Sequence, residues 1–315
     1  MLVERILTLL VDVLCPLIAG YVMKRSGKVP YSFCNGLMLF NVWGLITIMN
    51  VFSFWLLPVD STLLVIPILA IVFTTLGGVL GYAVFGRHFH NMLDKGAYVI
   101  GCSLANVGTL AGLAGYIVYG EMSFAYIQLY AAPQNVMFVL VCLPLGQYFR
   151  DLYDHTQAGS GFHIDWRKLL FSSKQISVLG MFAGILLHAL DVQRPNAVTL
   201  FFPVLVHAGA WLALLPVGYQ IDFSRARQYY KKVANMLVLK FILMPVLVYG
   251  IARLLFDDPE LLGTFVLIAA APAAINAVIA TSLCRLNVDL TVASFILTTL
   301  AYLLVFLPLF YVLVL

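Results

Sequence analysis

Two stretches of an otherwise apolar chain carry groups that could bind an ion. Leu267 to Ile279 reads Leu-Ile-Ala-Ala-Ala-Pro-Ala-Ala-Ile-Asn-Ala-Val-Ile, which sets Pro272 and Asn276 inside a run of membrane length. Pro272 lacks a backbone N–H and its ring clashes with the carbonyl one turn earlier, so a helix here is broken or kinked. Half a chain earlier, Ser103-Leu-Ala-Asn-Val-Gly-Thr-Leu-Ala-Gly112 is also poor helix, with Gly108 and Gly112 weakening it and Ser103 and Asn106 adding polar groups. In hydrocarbon, backbone groups freed by a break are tolerated only where protein, water or a ligand satisfies them. A half-helix starting at a break also presents unpaired amide donors and about half an elementary positive charge. One such stretch reads as a proline kink packed between helices; two read as a site for a small anion, a carboxylate, oriented by the amides of Asn106 and Asn276.

Other polar groups are few. Gln134 and Asn135 follow Pro133 in the span after the first break and fit a pocket wall. Lys240, in Leu237-Val-Leu-Lys-Phe-Ile-Leu-Met-Pro-Val246, lies eight residues past Lys231-Lys232, so its backbone is about 12 Å deep. It is a functional cation or a side chain that snorkels to the surface, and the sequence leaves both open. Asp12 is the one acid well inside a span: a proton site, or, more in keeping with burial, a carboxyl bonded to a neighbouring helix. Gln128, His188 and His207 default to interhelical hydrogen bonds. A single buried aspartate excludes an intramembrane aspartyl protease, and no His-Glu-x-x-His is present for a zinc protease. His88-Phe-His90 reads as a solvated connection, and the five cysteines lack metal-ligand spacing. No enzyme, metal or cofactor is expected.

The elements that must position these groups are membrane helices. The chain has 315 residues, 63% of them hydrophobic and 10% charged, with a mean hydropathy of +1.00. At about 20 residues per crossing it holds about ten spans: near 6–23, 33–57, 63–85, 97–119 and 124–149, then 176–190, 198–218, 233–255, 262–283 and 291–315. Gly77, Gly78 and Gly81 give the third span a smooth face for close packing. Residues 150–174 are polar and include Gln157-Ala-Gly-Ser-Gly-Phe162, a linker that separates residues 1–149 from 175–315. Phe138-Val-Leu-Val-Cys-Leu-Pro-Leu145 and Tyr302-Leu-Leu-Val-Phe-Leu-Pro-Leu309 match across the halves. Fourteen of the eighteen Lys and Arg fall in odd-numbered connections, which places those, the 150–174 linker among them, in the cytoplasm and both termini outside. Five spans per half then make the halves inverted repeats, and inverted repeats with interrupted helices at mid-membrane mark a secondary transporter. No removable signal peptide is read at Met1.

With these residues in view, the chain resembles the auxin efflux carrier family, which includes plant auxin exporters and bacterial permeases for small carboxylates. The resemblance is carried by Leu239-Lys-Phe-Ile-Leu-Met-Pro245, Ala271-Pro-Ala-Ala-Ile-Asn276, Asn287-Val-Asp289, Leu307-Pro308, Gly218, and Pro16 with Gly20-Tyr21. It implies ten helices in two inverted five-helix repeats, folded like the bile acid sodium symporters, with broken helices 4 and 9 crossing. It also implies a scaffold of spans 1, 2, 6 and 7, through which a homodimer would form, and a transport domain of spans 3–5 and 8–10. The chain departs from the family at Gly44, where proline is usual, and after Asn106-Val-Gly108, where Ala111, Gly112, Leu113 and Ala114 replace a proline.

The function expected is alternating-access transport, of the elevator type, of a small organic anion held by Ser103, Asn106, Gly108, Gln134, Asn135, Lys240, Pro272 and Asn276. The coupling ion, H+ or Na+, stays open. A sodium-coupled symporter of a larger amphipathic anion, or a receptor of the same fold that does not transport, are the alternatives. The lipid bilayer, that of a bacterial inner membrane, is the expected surrounding, and no nucleic acid is an expected partner.

Overall fold

A computed structural model of the chain describes residues 2–58, 62–155, 176–220 and 223–314. The Gln157 to Phe162 linker lies outside the described residues. In chain order the main helices are α1 (Leu2–Ser26), α2 (Tyr31–Phe40), α3 (Thr47–Leu56), α4 (Thr62–Ala83), α5 (Met92–Ser103), α6 (Gly112–Tyr119), α7 (Glu121–Met137), α8 (Leu143–His155), α9 (Ile176–Ala189), α10 (Asn196–Gln220), α11 (Met244–Arg253), α12 (Pro259–Ala269), α13 (Ile275–Leu283), α14 (Val288–Ala301) and α15 (Leu307–Val314). Among the described residues there is no strand, only one isolated β-bridge, between Ala105 and Ala273. Among the described residues, seven helical stretches are long and apolar enough to cross a membrane, and three shorter apolar ones cover Val107–Tyr119, Val178–Ala189 and Pro259–Ala269. The chain is an integral membrane protein.

Several of these helices run into one another through π turns. Asn41–Ile46 joins α2 to α3, Phe138–Cys142 joins α7 to α8, Leu239–Leu243 leads into α11, and Tyr302–Phe306 joins α14 to α15. In the last three a proline, Pro144, Pro245 or Pro308, stands two residues beyond the turn. Such a proline cannot donate to the carbonyl four residues back, and its ring needs room there; widening the preceding turn supplies that room without breaking the helix. The matched sequences Phe138–Leu145 and Tyr302–Leu309 therefore share a local backbone form as well as residues.

The helices gather into two compact units. The first comprises Met1–Ile66, Gly108–Leu129 and Phe171–Ile221. Here α1 packs along α10 at backbone contact: a Cβ on Gly218 would strike the Leu17 carbonyl, and one on Gly20 the Leu215 carbonyl. Glycine is what allows that approach. Tyr116 and Phe124 flank Phe202, each with ring centroids 5.6 Å apart from it, and Arg194 pairs with Glu121 at 2.7 Å.

The second unit comprises Pro67–Val107, Tyr130–Leu170 and Asp222–Leu315. The glycine face expected on the third span is used here against α5, since a Cβ on Gly77 would lie 2.8 Å from the Cys102 carbonyl and one on Gly81 2.6 Å from the Cys102 side chain. At the start of α5, Asp94 is buried and accepts from Asn287 Nδ2 at 2.7 Å and Lys232 Nζ at 3.3 Å. Asn287 also caps α14 by accepting from the Leu290 amide, so a single side chain fixes two helix ends. Tyr98, Phe265, Phe295 and Tyr302 fill the interior of this unit, and Ala270, Ala271 and Ala273 are fully buried within it.

Candidate functional site

The two breaks meet inside the second unit. Helix α5 ends at Ser103 and Leu104 turns extended; α12 ends at Ala269, and the chain is extended again at Ala274 before α13 begins. The extended pieces pair antiparallel: the Asn106 amide donates to the Pro272 carbonyl at 2.7 Å, and the Ala274 amide to the Leu104 carbonyl at 3.1 Å. Thr298 Oγ1 of α14 accepts from the Ala273 amide at 3.0 Å. Gln134 Nε2 of α7 donates to the Ala105 carbonyl at 2.7 Å, and the Val107 amide reaches the same carbonyl at 2.8 Å. The expectation that freed backbone groups await a ligand is thus met only in part, because the crossing satisfies most of its own peptide groups. The fourth span breaks without the family's proline; extended pairing to Pro272 and the side chain of Gln134 hold it open instead.

The side chains named from the sequence distribute as follows. Asn276 lies in the first turn of α13, half-buried, and donates from Nδ2 to Asn135 Oδ1 at 3.3 Å; Asn135 is exposed. Asn106 and Pro272 form the crossing itself, and Gln134 clamps it. Lys240 sits in the π turn before α11 and is only 3% exposed, so it does not snorkel to a surface. It lies within electrostatic reach of Cys102, next to the first break, and pairs with no carboxylate among the described residues. Ser103 is turned the other way. Its hydroxyl donates to the Val99 carbonyl at 3.1 Å, packs against Gly78, and lines an apolar groove of about 230 Å³ with Thr74, Tyr82, Met137 and Val141. Gly108 falls in the first unit, where its carbonyl accepts from Gln128 Nε2 at 2.9 Å.

What remains open toward a ligand in the second unit is positive or neutral. Helix α13, nine residues long, starts without a side-chain cap; the Ala277 amide turns back to the Ala274 carbonyl at 3.1 Å, which leaves the Ile275 and Asn276 amides and the positive end of the dipole for an anion. The half-buried Asn276 stands in that first turn, and Lys240 adds a buried ammonium. Asp94 is at the far end of α5 and already carries two partners.

Sequence reasoning missed Thr298, although Ser294 and Thr298 at helical spacing in an apolar span were a signal that hydroxyls face inward. It also left the partner of Asp12 open. Asp12 is buried in the first unit, where His207 Nδ1 lies 2.5 Å from Oδ2 and Trp211 Nε1 donates to Oδ1 at 2.9 Å. His188 Nδ1 lies 3.0 Å from the Trp55 carbonyl, and His88 stacks on Phe89.

Long apolar helices, two of them broken and paired by backbone hydrogen bonds, are an arrangement that secondary transporters use to build their sites. Residues 162–311 match the model of a family described as membrane transport protein. That match agrees with the resemblance to the auxin efflux carrier family read from the motifs of the second half. No curated protein matches the chain.

Proposed function

We propose that the protein moves a small organic anion, a carboxylate, across the membrane by alternating access, with the anion bound at the crossing in the second unit. The observation that carries this reading is the uncapped start of α13, directly after the paired breaks and with Asn276 in its first turn. About half a positive elementary charge at that helix end, with unpaired amides, suits a carboxylate and repels a cation. Asn276 and Asn106 orient the ligand, Asn135 holds Asn276, and Lys240 raises the local potential.

We extend the proposal to ten spans in two inverted repeats, with both termini outside a bacterial inner membrane. Support comes from the equivalent π turns before Leu143-Pro144 and Leu307-Pro308 and from one break per half. An elevator motion, in which the crossing travels with its own body of helices, fits a site built within one compact unit. Spans 1, 2, 6 and 7 lie in the first unit, as a scaffold would, and Gly108–Leu129 clusters with them; a homodimer through those spans belongs to the same proposal. A second reading, a sodium-coupled symporter of a larger amphipathic anion, draws on the apolar groove beside Ser103.

Thermal unfolding of the purified protein against mono- and dicarboxylates and amphipathic acids, with and without sodium, tests the site, because a ligand that binds only the folded state raises the midpoint. A carboxylate stabilises the wild type, and Asn276→Ala and Asn106→Ala each weaken its binding by about 1 to 3 kcal/mol. Equal affinity in both variants, or selective binding of an organic cation, overturns the reading. Stabilisation by an amphipathic acid only in sodium moves the assignment to the second one.

A further inference from the structure

The first unit holds a charged group that the anion site does not use. Asp12, near the middle of α1, has a side chain 9% exposed, and both its oxygens are engaged by α10: Oδ2 with His207 Nδ1 at 2.5 Å and Oδ1 with Trp211 Nε1 at 2.9 Å. His207 and Trp211 are four residues apart, one helical turn, so α10 grips the carboxylate from a single face. An aspartate of this depth is costly in hydrocarbon and by default marks a functional site. A brace alone would need only the indole and any neutral donor; a histidine adds a ring with two nitrogens, either of which can carry a proton.

We propose that Asp12 and His207 form a proton-binding site whose occupancy is linked to the position of α6, making this a proton-coupled transporter. One proton makes the pair an imidazolium beside a carboxylate, with no net charge. Release of that proton leaves a neutral imidazole beside the carboxylate and one net negative charge. The His207 side chain is 34% exposed, so the pair is not sealed on all sides by protein.

The link to the transport machinery is Tyr116. It stands on α6, the half-helix that follows the first break, and meets His207 edge-on with ring centroids 6.4 Å apart at 80°. Any displacement of α6 against α10, transmitted through the short connection from the first break, would change the packing on the imidazole. Tyr116 is the titratable side chain that α6 turns to the pair. Of the other elements packed on α1 and α10, α2 carries only Tyr31 and Cys34 as titratable types, and α3 and the Asn41–Ile46 turn carry none. In the same unit, Glu121 and Arg194 pair with each other at 2.7 Å.

The inference rests on the reading of the protein as a carboxylate transporter, and the test separates the two. Proteoliposomes containing an entrapped pH dye receive a carboxylate from the panel under a gradient of one pH unit. The wild type accumulates it, up to about tenfold for one proton per anion, and moves protons as it does so. Asp12→Asn and His207→Gln carry the same carboxylate down its own gradient but accumulate it about onefold, and Asp12→Glu restores part of the accumulation. Variants that accumulate like the wild type, or a wild type that carries carboxylate without moving protons, overturn the proposal. If no carboxylate is carried, the reading of the crossing fails and the pair is judged by Trp211 emission, isolated by difference from Trp211→Phe. A step in that emission with pH, absent from His207→Gln, supports the proton site, and a flat trace overturns it. Should the neutral variants fail to fold, proton movement and Trp211 emission in the wild type decide alone.

Discussion

Replacing Thr298 by valine tests whether the crossing is held by its own hydrogen bonds. Thr298 is fully buried, and its hydroxyl accepts from the Ala273 amide at 3.0 Å while donating to the Ser294 carbonyl at 2.6 Å. Valine keeps the shape, so no cavity forms. The Ser294 carbonyl keeps its intrahelical partner in α14, and losing the second bond there costs little. The Ala273 amide has no such alternative: it lies in the extended piece, and Ala273 is fully buried. Leaving one buried donor unmade costs about 1 to 3 kcal/mol. At roughly 2 °C per kcal/mol for a chain of this size, the unfolding midpoint falls by about 2 to 6 °C. The assay is thermal unfolding in detergent of wild type, Thr298→Val and Thr298→Ser, the last retaining the acceptor and most of the stability. Thr298→Val unfolding at the wild-type temperature would show that the backbone at the second break is satisfied in some other way, and would refute the account of the crossing as self-satisfied.

Lys240→Met leaves the protein folded at unchanged or higher midpoint, since a buried unpaired charge is exchanged for an apolar chain of similar length, while carboxylate affinity falls; titration of the thermal shift checks both. Gly218→Ala lowers the yield of folded protein, because its Cβ has no room beside the Leu17 carbonyl; size-exclusion profiles against wild type and Gly36→Ala, where a Cβ meets nothing, measure it. For orientation, a cysteine at the exposed Asp257 reacts with impermeant maleimide in intact cells and one at His90 does not, in a background lacking other cysteines; the reverse pattern inverts the proposed topology.

The sequence located the second break closely, because Pro272 acts on the backbone locally, and put the first within Ser103 to Gly112; the extended residues there are Leu104 to Asn106, while Gly108 to Gly112 are helical. It also placed the close-packing face of α4, since a run of glycines in an apolar span has few other uses. What it could not give was the partner of each polar group. Thr298 is 25 residues from Ala273 and Gln134 is 29 from Ala105, distances at which helical periodicity carries no information. Asp12 and His207 are 195 apart. The fate of Lys240 was undecidable for a related reason: depth along a span says where a backbone lies and not whether a neighbouring helix covers the side chain. Prolines alone did not announce the π turns either, because Pro16, Pro67, Pro133, Pro203 and Pro216 lie inside helices that keep the ordinary turn.

The pairing of the two breaks also sets a timetable for biosynthesis. Helix α5 has 12 residues and α12 has 11, about 18 and 16 Å at 1.5 Å per residue, so neither reaches across a roughly 30 Å hydrocarbon layer unaided. Asn106 emerges from the ribosome long before Pro272, its backbone partner, which follows 166 positions later (272 − 106). At about 5 to 20 residues per second, that interval is on the order of 10 to 30 s. Throughout it the first break lacks the strand that completes it, so the insertion machinery, or the early clamp from Gln134, must shelter a helix pair too short to stand alone. Nascent chains arrested between residues 150 and 260 are consequently the ones that membrane quality-control proteases should recognise.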